Sequence, residues 1–322
     1  MIKEIRHDLF CIEVPLPKNP LKAVNSYIIR GPDRNLVIDT AMNRAECKEV
    51  LMPGLAELGI DLQKTDFFIT HLHADHFGLI GDLATDESKC YLGCDDVNYI
   101  QGGSDWNYML QSFIDNGFPT DSVGDSMSRH PGMLYSSNRM VELTPVSDGN
   151  VIRIGDYELT CIETPGHTPG HVCLYDKNKK IFFSGDHVLF DITPNISNWK
   201  TKQDSLGDYL ASLKKVSALP VEMVLPGHRS ARNSLVGRVE ELKQHHRNRL
   251  EEVITALQIG DKTAYEVAPH ITWKIEFREW EDFPIGQKWF AVGETLAHLQ
   301  FLEHKGKVNK YHRDGLIYYT LN

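Results

Sequence analysis

Six residues constrain this chain more than any others. His71-Leu72-His73-Ala74-Asp75-His76 packs three imidazoles and a carboxylate into a stretch that follows the apolar run Phe67-Phe68-Ile69. A short apolar run reads as a buried strand, so the polar cluster is predicted at a strand end, where a loop can turn several side chains toward one point. Neutral imidazole and carboxylate are ligands that suit zinc and its neighbours. A solvated polar loop is the other reading, and a lone His-x-His would favour it. The remainder of the chain has to supply the missing ligands.

Three further segments do so. Thr164-Pro165-Gly166-His167 follows the hairpin pattern Val151 to Ile162, Asp186 follows Ile181-Phe182-Phe183-Ser184-Gly185, and Pro226-Gly227-His228 follows Val221 to Leu225. Each places a ligating residue type at a predicted strand end. His71, His73 and His167 would make one three-imidazole site, and Asp75, His76 and His228 a second, with Asp186 bridging. Sites that keep a position open for water are catalytic rather than structural, and two metals a few Å apart hold one shared hydroxide. Two divalent ions are expected, zinc first, with iron or manganese as alternatives. The predicted chemistry is attack on a carbonyl carbon or a phosphorus, with Asp75 orienting the nucleophile or carrying its proton.

At 322 residues the chain can bury a large core and is expected to form two domains. Its formal net charge of -10 gives no general attraction to phosphate backbones or anionic membranes. The N-terminus is interrupted by Lys3, Glu4, Arg6 and Asp8 and no apolar signal region follows, so a cytoplasmic protein is expected, without membrane partners. Cys11, Cys47, Cys90, Cys94, Cys161 and Cys173 lack the spacing of a zinc knuckle and read as reduced, mostly buried thiols.

Taken in order, the chain predicts three short strands between Leu9 and Thr40. Asn43 and Glu46 resemble a capping box that opens a helix through Gly59, kinked or divided at Pro53; another helix starts at about Gly78, and Cys90 to Gly93 is a strand. Residues 95–140 carry Trp106, Tyr108, Met109, Phe113 and Phe118 among polar residues and read as an insertion, either a satellite core or a lid over the substrate. A helix from Asp204 carries Leu206, Leu210, Leu213 and Val216 on one face. From Leu235 a polar helix, with His245 and His246 on an expected solvated face, leads to a helix from Phe290 to His304 and a hairpin with its turn at Asp314-Gly315. That is the outline of a winged helix. The expected division is a catalytic domain over residues 1–234, a connecting helix over 235–261 and a winged-helix-like domain over 262–322.

The motifs His71-x-His73-x-Asp75-His76, Gly166-His167-Thr168-x-Gly170-His171, Ser184-Gly185-Asp186 and Gly227-His228 together resemble the metallo-β-lactamase superfamily, in its glyoxalase-II-like branch. The resemblance covers roughly residues 9 to 230, less the insertion. It implies an α+β fold, an αββα sandwich with the metals at one edge, and Asp39 supporting the site from behind the ligands, although a turn cap would explain Asp39 equally. Asp186 matches a carboxylate that true β-lactamases generally lack, and His73 stands where flavodiiron enzymes usually carry glutamate. The resemblance therefore implies a hydrolase of a small-molecule ester, thioester or lactone, with a single-iron thiol or persulfide dioxygenase as an alternative. The tail resembles the C-terminal domain of a lactamase-B-like subgroup that includes an endoribonuclease. Lys305, Lys307, Lys310 and Arg313 would there contact phosphate, but Glu276, Glu279, Glu281 and Asp282 lie nearby, and nucleic acid is not the favoured partner. A homo-oligomer is left open. His171 is expected to steady the His167 loop, His187 to pack beside Asp186, and His130 to reach the pocket if the insertion is a lid.

Overall fold

Strands that read as continuous apolar runs are buried on both faces, and those that alternate are buried on one. The computed structural model describes residues 2–103, 106–199, 203–231, 234–274 and 279–322. β1 (Ile2–Arg6), β2 (Leu9–Pro15), β3 (Ala23–Ile29), β4 (Asn35–Ile38), β5 (Thr65–Phe68), β6 (Cys90–Gly93) and β7 (Leu143–Val146) form one sheet in that spatial order. It is antiparallel from β1 to β4 and parallel from β4 to β7. The second sheet has the order β12-β11-β10-β9-β8, from β8 (Val151–Ile154), β9 (Tyr157–Glu163), β10 (Val172–Asp176), β11 (Ile181–Gly185) and β12 (Met223–Pro226).

The two sheets pack face to face with helices outside, the α+β sandwich that the motifs imply. Phe67 and Phe68 show how neighbouring residues on one strand build different layers. Phe67 enters the core between the first sheet and the helix Ala45–Glu57, while Phe68 enters the core between the sheets with Leu159, Leu174 and Phe183. Each ring is fully buried, which contributes roughly 1.5–3 kcal/mol. The helices Ser205–Ser217 and Leu235–Gln258 cover the outer face of the second sheet through Leu206, Tyr209, Leu213, Val239 and Leu242.

Several local expectations are corrected. β1 adds a strand ahead of the three expected ones; its burial is only partial and it pairs at the sheet edge, so it carries no clear apolar pattern. The capping box at Asn43 and Glu46 does not form: Arg44 occupies the cap and pairs with Glu46 at 2.7 Å, while Asn43 Nδ2 donates to Ser136 O at 3.2 Å. Pro53 sits inside the helix Ala45–Glu57 without dividing it. The helix expected near Gly78 is two single turns, Ala74–Phe77 and Ile80–Leu83, the first of which carries Asp75 and His76. All six cysteines are free thiols, four of them buried.

The insertion connects β6 to β7 through the helices Cys94–Gln101, Trp106–Asp115, Thr120–Ser128 and Pro131–Leu134. Its apolar residues Phe113, Phe118 and Val123 share one core with Val253, Trp289, Val292 and Leu296 of the C-terminal helices, and Phe113 stacks on Trp289 at 3.8 Å. It therefore shares the tail's core rather than packing on one of its own. The tail ends in the hairpin β13 (Val308–Arg313) and β14 (Leu316–Leu321), with Asp314 and Gly315 both at positive φ, as the Asp-Gly turn predicts. No helix among the described residues is long and apolar enough to cross a membrane.

Candidate metal centre

Five chain segments end at one rim of the sandwich. Residues 70–73 leave β5, the turn Ala74–Phe77 follows, residues 164–171 join β9 to β10, and Asp186 and His228 stand just beyond β11 and β12. His71, His76 and His228 are fully buried, and His167, Asp75 and Asp186 almost so. Candidate ligand atoms fall into three overlapping triads, each within 4.8 Å: His71, His73 and His167; His71, His76 and Asp186; Asp75, His76 and His228. All seven residues singled out by the sequence motifs are therefore brought together.

Hydrogen bonds behind the rings decide which nitrogens face inward. Thr70 Oγ1 donates to Asp39, so His71 donates from Nδ1 to Thr70 Oγ1 at 3.0 Å. His76 Nδ1 donates to Asp39 Oδ2 at 2.8 Å, His167 Nδ1 to Asn195 O at 2.7 Å and His228 Nδ1 to Ala23 O at 2.6 Å. In each case the Nε2 lone pair is left for the interior, which is how partners behind a metal-ligating histidine fix its tautomer. His73 differs, turning Nδ1 inward to within 3.0 Å of His71 Nε2.

The donor set fits metal ions. His76 Nε2, His167 Nε2, His228 Nε2 and Asp186 Oδ1 are buried without a hydrogen-bond partner, a costly arrangement unless something binds them. Asp186 lies 3.5 Å from His76 Nε2, 3.6 Å from His167 Nε2 and 3.5 Å from His228 Nε2, and Asp75 Oδ2 is 3.3 Å from His228 Nε2. A tetrahedron of ligands about 2.0–2.1 Å from zinc has edges of about 3.4 Å. Electrostatics divide the cluster. Burial pushes the His71 and His167 imidazoles down and takes His73 to about 3, keeping their lone pairs available. Burial also opposes charge on His76 and His228, but Asp39, Asp186 and Asp75 outweigh it at His76, and Asp186 and Asp75 carry His228 up to about 10, so a metal ion bound there would displace a proton from these rings. The carboxylate-rich half of the site thus attracts positive charge.

Asp39 is not a turn cap. Its backbone is left-handed, with φ 59°, and its carboxylate accepts from Thr70 N at 2.8 Å as well as from His76. His171 ties the two ends of the His167 loop together and also holds Asp186: its Nδ1 meets Thr164 Oγ1 at 2.8 Å, its carbonyl accepts from Thr164 N at 2.9 Å and its Nε2 accepts from Asp186 N at 3.2 Å. Gly185, at φ 48°, makes this approach feasible, since a Cβ there would stand 2.8 Å from His171 Nε2.

Three contributors carry no sequence signal that would single them out. Asp96 is fully buried and accepts from Leu72 N at 2.8 Å, Thr168 Oγ1 at 2.9 Å and Gly170 N at 2.7 Å, tying the His71-His73 loop to the His167 loop. In sequence it is one of two acids opening a helix, the commonplace reason for an acid there. Trp199 donates from Nε1 to His167 O at 2.9 Å, stacks on His73 and meets Tyr99 of the insertion edge-on. Asn195 holds His167 through its carbonyl. Trp199 and Asn195 lie in an irregular stretch that offers no periodicity to read.

Other histidines find different places. His130 is enclosed by Trp106, Trp289 and Phe290, and its Nδ1 accepts from Gly132 N. His187 is fully buried and packs on Tyr209. The solvated face expected for His246 is wrong: it is fully buried, with Nδ1 3.1 Å from His298 Nε2, because the helix Ile285–His304 covers this side of Leu235–Gln258. His245, His246 and Glu294 form another metal-compatible triad, but the Arg249 guanidinium pairs with Glu294 and occupies the position of a cation. In the tail, Lys310 pairs with Glu303, Arg313 lies over Tyr318 and Lys305 over Phe301. Of the acids expected to oppose them, Glu276 lies outside the described residues.

Fold and site define a metal-binding hydrolase of the metallo-β-lactamase type, and the chain belongs to that superfamily: its family model, "Metallo-beta-lactamase superfamily", matches residues 19–228. A second model, "Metallo-beta-lactamase-like, C-terminal domain", matches residues 250–322. Over 97% of both chains it is 25% identical to "Probable metallo-hydrolase YqjP" of Bacillus subtilis (strain 168). It is 29% identical to the human "Acyl-coenzyme A thioesterase MBLAC2" over 63% of this chain and 72% of that protein. A crystal structure of a metallo-beta-lactamase family protein from Thermus thermophilus superposes with a TM-score of 0.83 at 28% identity, covering 99% of this chain and 100% of that one.

Proposed function

We propose that the protein hydrolyses a small-molecule thioester, or a related ester or lactone, with two divalent metal ions. His71, His73 and His167 would hold one ion and Asp75, His76 and His228 the other, with Asp186 reaching both; zinc suits these imidazole and carboxylate donors, as iron or manganese would. The observation that carries the reading is Asp186, whose two oxygens face His76 on one side and His167 and His228 on the other, at 3.5–3.6 Å. When bound, such ions lower the pKa of water and supply positive charge opposite a developing oxyanion.

The chain's own residues hold and orient. Asp75 stands inside the cluster, with Oδ2 3.3 Å from His228 Nε2, where its carboxylate can position the attacking water and take its proton. Asp39, Thr70, Asn195 and Ala23 keep the histidine rings turned so that no ring has to reorient during turnover. Trp199 and Tyr99 offer an apolar wall beside His73 for the non-reacting part of a substrate. The human relative's name supports the thioester choice. The engaged tail residues Lys310 and Arg313 give nucleic acid no comparable support.

The test measures metal content together with hydrolysis of a panel of acyl-CoA thioesters, lactones, β-lactams and phosphodiesters. Two ions per chain and thioester turnover that does not require oxygen are expected, with a loss on the order of 100-fold or more in Asp186→Ala. Protein that holds no transition metal, or an Asp186→Ala variant of undiminished rate, overturns the reading. Turnover only with oxygen consumption points instead to an iron dioxygenase.

A further inference from the structure

The irregular segment from Asp191 to Trp199 runs between the metal centre and the C-terminal helix Ile285–His304, and it is attached on both sides. Toward the centre, the Asn195 carbonyl accepts from His167 Nδ1 at 2.7 Å, and Trp199 Nε1 donates to the His167 carbonyl at 2.9 Å. Toward the helix, Asn195 Nδ2 donates to Glu294 Oε2 at 2.9 Å. Glu294 is 5% exposed and is itself held by the buried Arg249, which also donates from Nη2 to Thr272 O at 2.9 Å and lies 4.3 Å above the Trp273 ring. The Ser197 side chain packs directly against the helix backbone here: a Cβ at Gly293 would collide with Ser197 Oγ.

We propose that Glu294 and Asn195 are positioning residues for the metal centre, so that the C-terminal domain holds a wall of the active site rather than being an appendage beside it. The inference rests on His167 being a metal ligand, as proposed above. Its physical content is that a buried ion pair fixes the Asn195 side chain, the side chain fixes its own carbonyl, and the carbonyl fixes the ring orientation and tautomer of His167. Arg249 is the anchor because it bonds Glu294 and Thr272 simultaneously, which leaves the carboxylate little freedom. Loss of a partner behind a metal-ligating histidine typically costs about 10–100-fold in metal affinity.

Two variants separate positioning from packing. Asn195→Ala removes the link to Glu294, and Asn195→Asp keeps the shape but sets a carboxylate against a carboxylate. The backbone carbonyl that meets His167 is chemically unchanged in both. Metal affinity of the full-length protein is measured by competition with a chromophoric chelator, and the cobalt-substituted forms are compared by visible spectrum, with circular dichroism as the control for folding. Because the carbonyl is kept and only its positioning is lost, the expected result is a site weaker by up to about 10-fold, an altered cobalt spectrum and a lower kcat at similar KM, with Asn195→Asp the more severe. If wild type binds two ions and folded Asn195→Asp binds them with equal affinity and an unchanged spectrum, the inference is overturned and the hydrolase reading stands. Should Asn195→Asp not fold, wild-type affinity in Asn195→Ala overturns it likewise. A wild type that binds no metal overturns both.

Discussion

Replacing Asp39 by asparagine is predicted to weaken one metal position without disturbing the fold. Asp39 has φ 59°, and asparagine tolerates this left-handed backbone as well as aspartate does. The change is therefore confined to the side chain's hydrogen bonds. The aspartate accepts from Thr70 N at 2.8 Å and from His76 Nδ1 at 2.8 Å. An asparagine can accept on one side only. If its oxygen faces Thr70, its amide donates toward His76 Nδ1 and forces the ring proton onto Nε2, the atom aimed at Asp75 and Asp186. If its oxygen faces His76, the Thr70 N–H is left buried and opposed by another donor. Leaving one buried polar group unsatisfied costs about 1–3 kcal/mol, which corresponds to about 5- to 150-fold in affinity. Titration against a chromophoric chelator should show the position built by His76 weakened by that factor and the three-imidazole position, which Asp39 reaches only through Thr70 Oγ1 and His71, weakened less. A folded Asp39→Asn protein that binds both ions as tightly as wild type refutes the tautomer argument.

Gly185→Ala should lower stability by about 1–3 kcal/mol, since it puts a side chain at φ 48° within 2.8 Å of His171 and Thr70; an unchanged thermal midpoint would contradict this. Trp289→Ala should cost about 3–5 kcal/mol in urea unfolding, because Trp289 is 3% exposed and stacks on Phe113 across the joint core of insertion and tail. A loss under about 1 kcal/mol would mean that the two segments do not stabilise each other. Burial holds His130 down to about 4, so the unfolded chain takes up a proton that the folded chain refuses. Its contribution is intact above pH 6.5 and is lost as pH falls toward 4, the loss amounting to about 2.5 kcal/mol at pH 4.5. Unfolding of His130→Phe should therefore depend less on pH between about 7 and 4.5 than unfolding of wild type, and parallel curves would contradict the assignment.

The sequence by itself determined the candidate ligand types, their order and the strand ends that present them. Those features are local: an apolar run followed by polar ligating residues specifies a strand and what leaves it, whereas the helical turn that carries Asp75 and His76 was not legible. It also specified the Asp314-Gly315 hairpin and the buried double-faced strands. Tertiary structure decided what depends on partners distant in the chain. Asn43 and Glu46 have the right spacing for a cap, yet Ser136 and Arg44 take them. His246 sits on a helix of polar composition, yet His298, 52 residues away, covers it. Asp96 resembles any acid at a helix start until the His71-His73 and His167 loops close on it. The physical reason is the same in each case. A hydrogen-bonding side chain carries no mark of which donor will reach it, and only the packing of the two sheets, the insertion and the C-terminal helices selects one.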